Sequence, residues 1–154
     1  MKEIVLDTET TGISVKEGHR VIEIGCIELE NLVPTKNKFH CYLNPDRKVS
    51  QKAFEIHGYS DVFLANQKKF RDFSEQFLSF IKGKKLIIHN AEFDIAHINN
   101  ELSILGKKNA KHLLRRACFH YSKEVLDNIS IMTPLEALSF LENHQPNTWT
   151  EPYD

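Results

Sequence analysis

Ile4-Val5-Leu6-Asp7-Thr8-Glu9-Thr10-Thr11-Gly12 decides how this chain is read. Three aliphatic residues run directly into two carboxylates, and a glycine closes the stretch. Lys2–Asp7 is predicted as a strand, with Ile4 and Leu6 on one face and Val5 on the other. Residues i and i+2 of a strand share a face, so Asp7 and Glu9 project together. Two acids converging at a strand end repel each other unless a cation lies between them. Hard oxygen donors of this kind suit Mg²⁺ or Mn²⁺. An isolated D-x-E also describes two solvated acids in a loop, so a second feature must decide between the readings.

That feature is Leu86-Ile87-Ile88-His89-Asn90-Ala91-Glu92-Phe93-Asp94, a short apolar strand running into a helix with an acid in its first turn. Ala91, Ile95, Ile98, Leu102 and Leu105 carry the helical periodicity up to Gly106. Asp94 near the helix N-terminus has an ordinary explanation in the helix dipole, and Asn90 has one as an N-cap. Neither role excludes a metal ligand. If this helix packs beside the first strand, a third carboxylate meets the first two.

The other segments place these two on a mixed sheet. Val21–Leu29 reads as a second strand, with Ile22, Ile24 and Cys26 on one face and Val21, Gly25 and Ile27 on the other. Two largely apolar faces predict a sheet covered on both sides. Asn37–Leu43 is a third strand, stopped by Asn44-Pro45-Asp46, and short connections allow an antiparallel meander. Phe70, Phe73, Phe77 and Phe80 mark one face of an amphipathic helix before Gly83. The predicted order is βββ-α-β-α, an α/β fold with helices packed on the sheet. Further on, Thr133-Pro134-Leu135-Glu136 starts a helix over 133–142, and Asn143 to Asp154 reads as a tail.

Composition sets the outer bounds. The 154 residues suit one domain, and 41% apolar with 27% charged residues describes a globular chain. No apolar run reaches the roughly 18 residues of a membrane helix, and the N-terminus has no signal-peptide core. Cys26, Cys41 and Cys118 are widely spaced, which argues against a disulfide framework or a zinc ribbon and suits the cytoplasm. The net charge of −1 gives no overall field to attract nucleic acid, so such a partner must be argued from a site. No G-x-S-x-G or Cys–His arrangement supports a Ser or Cys hydrolase.

Taken in order, Ile4 to Gly12, Gly18-His19-Arg20-Val21-Ile22-Glu23-Ile24-Gly25, and His89 to Asp94 resemble the DEDD 3′–5′ exonucleases. Within them, the proofreading subunits of bacterial replicative DNA polymerases are the nearest likeness. Phe39 to Pro45 and Ala53 to Gly58 also resemble that group's intervening segments. The resemblance covers about residues 2 to 106 without interruption.

It implies a ribonuclease H-like exonuclease fold and hydrolysis of DNA 3′ ends with two Mg²⁺ or Mn²⁺ ions. Asp7, Glu9 and Asp94 match the family's metal-binding, catalytic acids. Asp7, Thr8, Glu9, Thr10 and Thr11 match the stretch that approaches the terminal nucleotide, and His57 matches a substrate-contacting His. The residue five before that His is commonly Glu in the family and is Lys52 here. The implied partners are a single-stranded or frayed DNA 3′ end and a polymerase catalytic subunit.

The family's late motif, His and Asp separated by four residues, supplies the general base and the fourth metal ligand. After Asp94, His97, His112, His120 and His144 are followed five residues later by Leu102, Ala117, Val125 and Trp149. His120 with Asp127 is the nearest substitute, since i and i+7 share a helix face. The family's Asp-Thr-Leu helix and Phe-Pro-Gly segment are also missing after residue 108. The expected division is an exonuclease core over 1–108 and a divergent, incomplete segment over 109–154. The region through which the family engages its polymerase is expected to be absent. Two alternatives follow: a truncated or frameshifted, catalytically impaired copy, and an RNA exonuclease of the RNase T or oligoribonuclease kind. Lys107, Lys108, Lys111, Arg115 and Arg116 form a basic run that either meets phosphates or is a solvated charged face.

Overall fold

The computed structural model describes residues 2–106 and the backbone of Cys118–Phe119. Strands β1 (Lys2–Thr10), β2 (Val21–Glu30) and β3 (Val33–Tyr42) come first. Helices α1 (Gln51–His57), α2 (Asp61–Ala65) and α3 (Phe70–Ile81) follow, then β4 (Lys85–Ile88), α4 (Ala91–Ile104) and β5 (Cys118–Phe119). The sheet order is β3-β2-β1-β4-β5. β1, β2 and β3 form the expected antiparallel meander, and β4 joins β1 in parallel. β5 adds a further parallel strand beside β4. His120, the basic run and the helix expected over 133–142 lie outside the described residues.

β3 begins at Val33 because Asn31 and Leu32 both take positive φ, 51° and 65°, and close a two-residue hairpin of the kind that matches strand twist. Its first half, with Pro34, Lys36 and Lys38, is the edge of the sheet, where charges and proline deter pairing with another chain. Helices α1 and α2 are additions to the predicted order. Each is short and capped by a serine hydroxyl: Ser50 accepts from the Ala53 N–H and Ser60 from the Phe63 N–H.

The core lies on one face of the sheet. Ile4, Leu6, Ile24, Cys26, Phe39, Cys41, Leu86 and Ile88 are buried there together with Phe77, Ile98 and Leu102 of α3 and α4. Phe39 sits among Phe73, Phe77 and Phe80, with ring centroids 5.6–6.5 Å away. Burial pushes the Cys26 and Cys41 thiols up to about 12, so both are inert thiols in the core. On the opposite face Val5 and Ile27, paired across β1 and β2, are 38% and 49% exposed. Val and Ile at these two positions suit a half-open pleated surface.

Candidate active site

The site arises from a stagger between two strands. β4 stops at Ile88, opposite Leu6, whereas β1 continues to Thr10. Past that point the Thr8 N–H has no strand partner on the β4 side. Asp94 takes its place: Oδ1 accepts from the Thr8 N–H at 3.0 Å and from the Thr8 hydroxyl. Asp94 is 3% exposed. Burial is the main force raising its carboxyl, to about 6; the Thr8 bonds oppose the rise and the Asp7 charge adds to it. The chain enters α4 through Asn90, which takes φ 51° and makes no side-chain cap. The N-cap reading of Asn90 thus fails for its side chain. Its part is a left-handed backbone turn, which Asn tolerates better than most residues.

Asp7 and Glu9 share the opposite face of β1, as the strand period requires. Burial raises the Asp7 carboxyl, the Glu23 charge raises it further, and the Thr8 backbone and His89 pull it down. Glu9 is raised by burial, then by Asp7, Glu23 and Asp94. Each of these acids is near enough to feel the others' charge. As they stand, no three His, Cys, Asp or Glu side chains among the described residues are grouped to hold a metal ion. The donor chemistry nevertheless fits a hard divalent cation: carboxylates that raise one another's proton affinity are stabilised by a positive charge among them.

Glu23 was missed in the sequence reading. It lies directly opposite Glu9 in the β1–β2 register and accepts a 2.7 Å hydrogen bond from His40 Nε2. Its i+2 relation to Gly25 on an apolar strand was legible; its register against Glu9 was not.

The threonines divide by side. Thr8 is committed to Asp94 through amide and hydroxyl, so its part is to hold that carboxylate. Thr11 is fully buried; its hydroxyl bonds His19 Nδ1 at 2.9 Å and accepts from the Arg20 N–H. Both hydroxyls are engaged within the protein, Thr8 with Asp94 and Thr11 with His19 and the Arg20 N–H. Thr10, whose hydroxyl donates to the Gly12 carbonyl, lies on the wall of a cavity of about 450 Å³. Glu9, Gly12, Lys52, His57 and Phe93 line the same cavity. Lys52 therefore stands where the family's Glu was expected, with the opposite charge.

Two contacts keep this wall in place. The 11–20 loop is tied to α4 by Arg20, whose guanidinium donates twice to the Glu101 carboxylate at 2.7 Å; Glu101 also accepts from the Val21 N–H at 3.1 Å. His57 ends α1, where Gly58 at φ 75° makes the helix stop that the sequence suggested.

An exonuclease family model matches residues 4–133, most of the chain. The chain belongs to the exonuclease family. It is 50% identical over 113 residues to the DNA polymerase III subunit epsilon of Rickettsia typhi, covering 73% of this chain and 49% of the relative. The same subunit of Escherichia coli is 46% identical over 110 residues, covering 69% and 45%. The chain thus spans about half the length of the curated relatives it matches. Among solved structures, product-bound exonuclease I aligns with a TM-score of 0.60 at 16% identity, over 66% of this exonuclease chain and 25% of that one. This likeness establishes the ribonuclease H-like fold expected from the sequence.

Proposed function

We propose that this protein is a 3′–5′ exonuclease that removes nucleotides from single-stranded or frayed DNA 3′ ends, in the manner of the epsilon subunits it resembles. The observation that carries the reading is the Thr8–Asp94 clasp, which brings a third carboxylate to the strand end bearing Asp7 and Glu9, beside the cavity lined by Glu9 and His57. Asp7, Glu9 and Asp94 would hold Mg²⁺ or Mn²⁺; such ions, when bound, supply charge neutralisation at a phosphodiester and activation of water. Thr8 fixes Asp94. The cavity takes the terminal nucleotide, and His57 contacts it from α1. The polymerase catalytic subunit is the partner that the epsilon relatives' name implies.

The 154 residues hold no His after Asp94 with an Asp five positions on. General-base help is worth about 10²–10⁴ in rate, and groups that act as a unit lose more than their separate shares. A polypeptide of these 154 residues alone is therefore expected to release nucleotides several orders of magnitude more slowly than a relative carrying the pair, the impaired-copy alternative.

The test is release of nucleotides from a 3′-labelled single strand in Mn²⁺, with matched duplex, mismatched duplex and short RNA alongside. Release abolished by Asp7→Ala, and faster from mismatched than matched ends, is expected. Calorimetry should show Mn²⁺ binding lost in the same variant. Unchanged Mn²⁺ binding in Asp7→Ala would remove the metal site, and faster turnover of RNA would move the substrate class.

A further inference from the structure

The cavity wall is uneven in charge. Glu9 and Glu17 place two carboxylates on it, and Lys52 of α1 is its one lysine or arginine among the described residues. His19 and His57 also line it. Burial holds both imidazoles below their ordinary value, so neither adds a positive charge at neutral pH. Lys52 is thus the wall's one lasting cation among the described residues.

The fold makes no use of that charge. Lys2, Lys69 and Lys84 each hold a carboxylate oxygen, at 3.1, 2.8 and 2.7 Å. Lys52 makes no such pair with the described residues, and it is exposed. It does not serve its own helix either. Lys52 stands in the first turn of α1, which holds no acid, and a positive charge there opposes the helix dipole. Helix stability alone favours a carboxylate at this place.

We propose that Lys52 gives the cavity a seat for a phosphate on the 3′ oxygen of the terminal nucleotide, so that strands ending in a 3′-phosphate are ligands of this protein. This rests on the exonuclease reading of the cavity. In that reading the phosphate of the bond to be cut belongs with Asp7, Glu9 and Asp94. A terminal nucleotide that ends in a 3′-hydroxyl carries no other charge, since its base and sugar are neutral. A lysine on the wall around it then has no counter-charge. A 3′-phosphate supplies one, and its oxygens accept the ammonium's hydrogens at the same time. A carboxylate in place of Lys52 would repel that group.

The experiment measures binding of two probes, dTMP and thymidine 3′,5′-bisphosphate, to the full chain in Mn²⁺ by calorimetry. The two differ only in the 3′-phosphate. Wild-type protein should bind the bisphosphate about two- to fivefold more tightly, the worth of one exposed charge pair. Salt at about 1 M should erase most of that preference, because exposed charges are then screened beyond about 3 Å. Lys52→Ala should bind both probes alike, and Lys52→Glu should prefer dTMP. Lys38→Ala, which removes an exposed charge from β3, should keep the wild-type preference. Urea unfolding of Lys52→Glu should show no loss of stability, which separates the charge effect from misfolding. Wild-type protein that prefers dTMP, a preference for the bisphosphate that survives Lys52→Ala, or equal weakening of both probes in that variant overturns the inference; the last result would assign Lys52 to the 5′-phosphate. Wild-type protein that binds neither probe would instead overturn the nucleotide reading of the cavity, and the inference with it.

Discussion

Replacing Glu101 with Ala should be the most damaging single change to the loop that walls the cavity. Glu101 is 2% exposed and accepts three hydrogen bonds, two from Arg20 at 2.7 Å and one from the buried Val21 N–H. Removing one partner of a buried ion pair costs about 3–5 kcal/mol. Arg20 is 24% exposed, so its guanidinium can recover water on one side, which discounts that figure. The Val21 amide cannot, and an orphaned buried donor costs about 1–3 kcal/mol. The expected loss for Glu101→Ala is about 3 kcal/mol, and for Glu101→Gln, which keeps the shape and two acceptor sites, about 1 kcal/mol. Urea unfolding with linear extrapolation measures both. A double-mutant cycle with Arg20→Ala should give a coupling energy above about 1.5 kcal/mol. Coupling below about 0.5 kcal/mol would refute the reasoning, because the pair would then behave as an ordinary surface salt bridge.

Three further outcomes are expected. The Glu28 carboxyl is held down at about 2, chiefly by Lys84 and Asn37, well under its ordinary 4.5; its stabilising effect is complete above that ordinary value and is lost as pH falls from about 4.5 toward 2. Glu28→Gln should flatten the stability profile in that acid window when unfolding is followed against pH. Gly12→Ala would drive a methyl group into the His19 ring, which is bonded to Thr11 and largely buried; a loss of about 1–3 kcal/mol is expected by thermal or urea unfolding. Phe77→Ala empties the centre of the core, where Phe77 is fully buried against Phe39 and Phe70, and should cost about 3–5 kcal/mol in the same assay.

The parts of the fold that could be read in advance are those whose side chains repeat with the element's own period. Phe70, Phe73, Phe77 and Phe80 announce α3 because all four face the core. Ile4 and Leu6 announce β1 for the same reason. α1 and α2 gave no such signal: each buries a single apolar residue, Ala53 and Leu64, while Phe54, Ile56, Val62 and Phe63 are exposed, so no buried stripe forms. Only Ser50 and Ser60 marked their starts. The hairpin at Asn31-Leu32 lacks the usual glycine, which hid the first half of β3. At the site, Asp7 and Glu9 were legible from strand period alone, and Asp94 from its place after β4. Glu23 was not, since cross-strand register is a property of tertiary pairing that one sequence does not display.

The stagger between β1 and β4 makes the two oxygens of Asp94 unequal. Oδ1 closes the backbone of β1 where a neighbouring strand has run out, a duty that any exonuclease-fold chain of this shape would need filled even with no catalysis under selection. A mutational scan scored on folded yield alone would therefore mark position 94 as intolerant, just as a scan scored on nucleotide release would. Only Asp94→Asn separates the two demands, because an amide oxygen still accepts from Thr8 while the negative charge is gone.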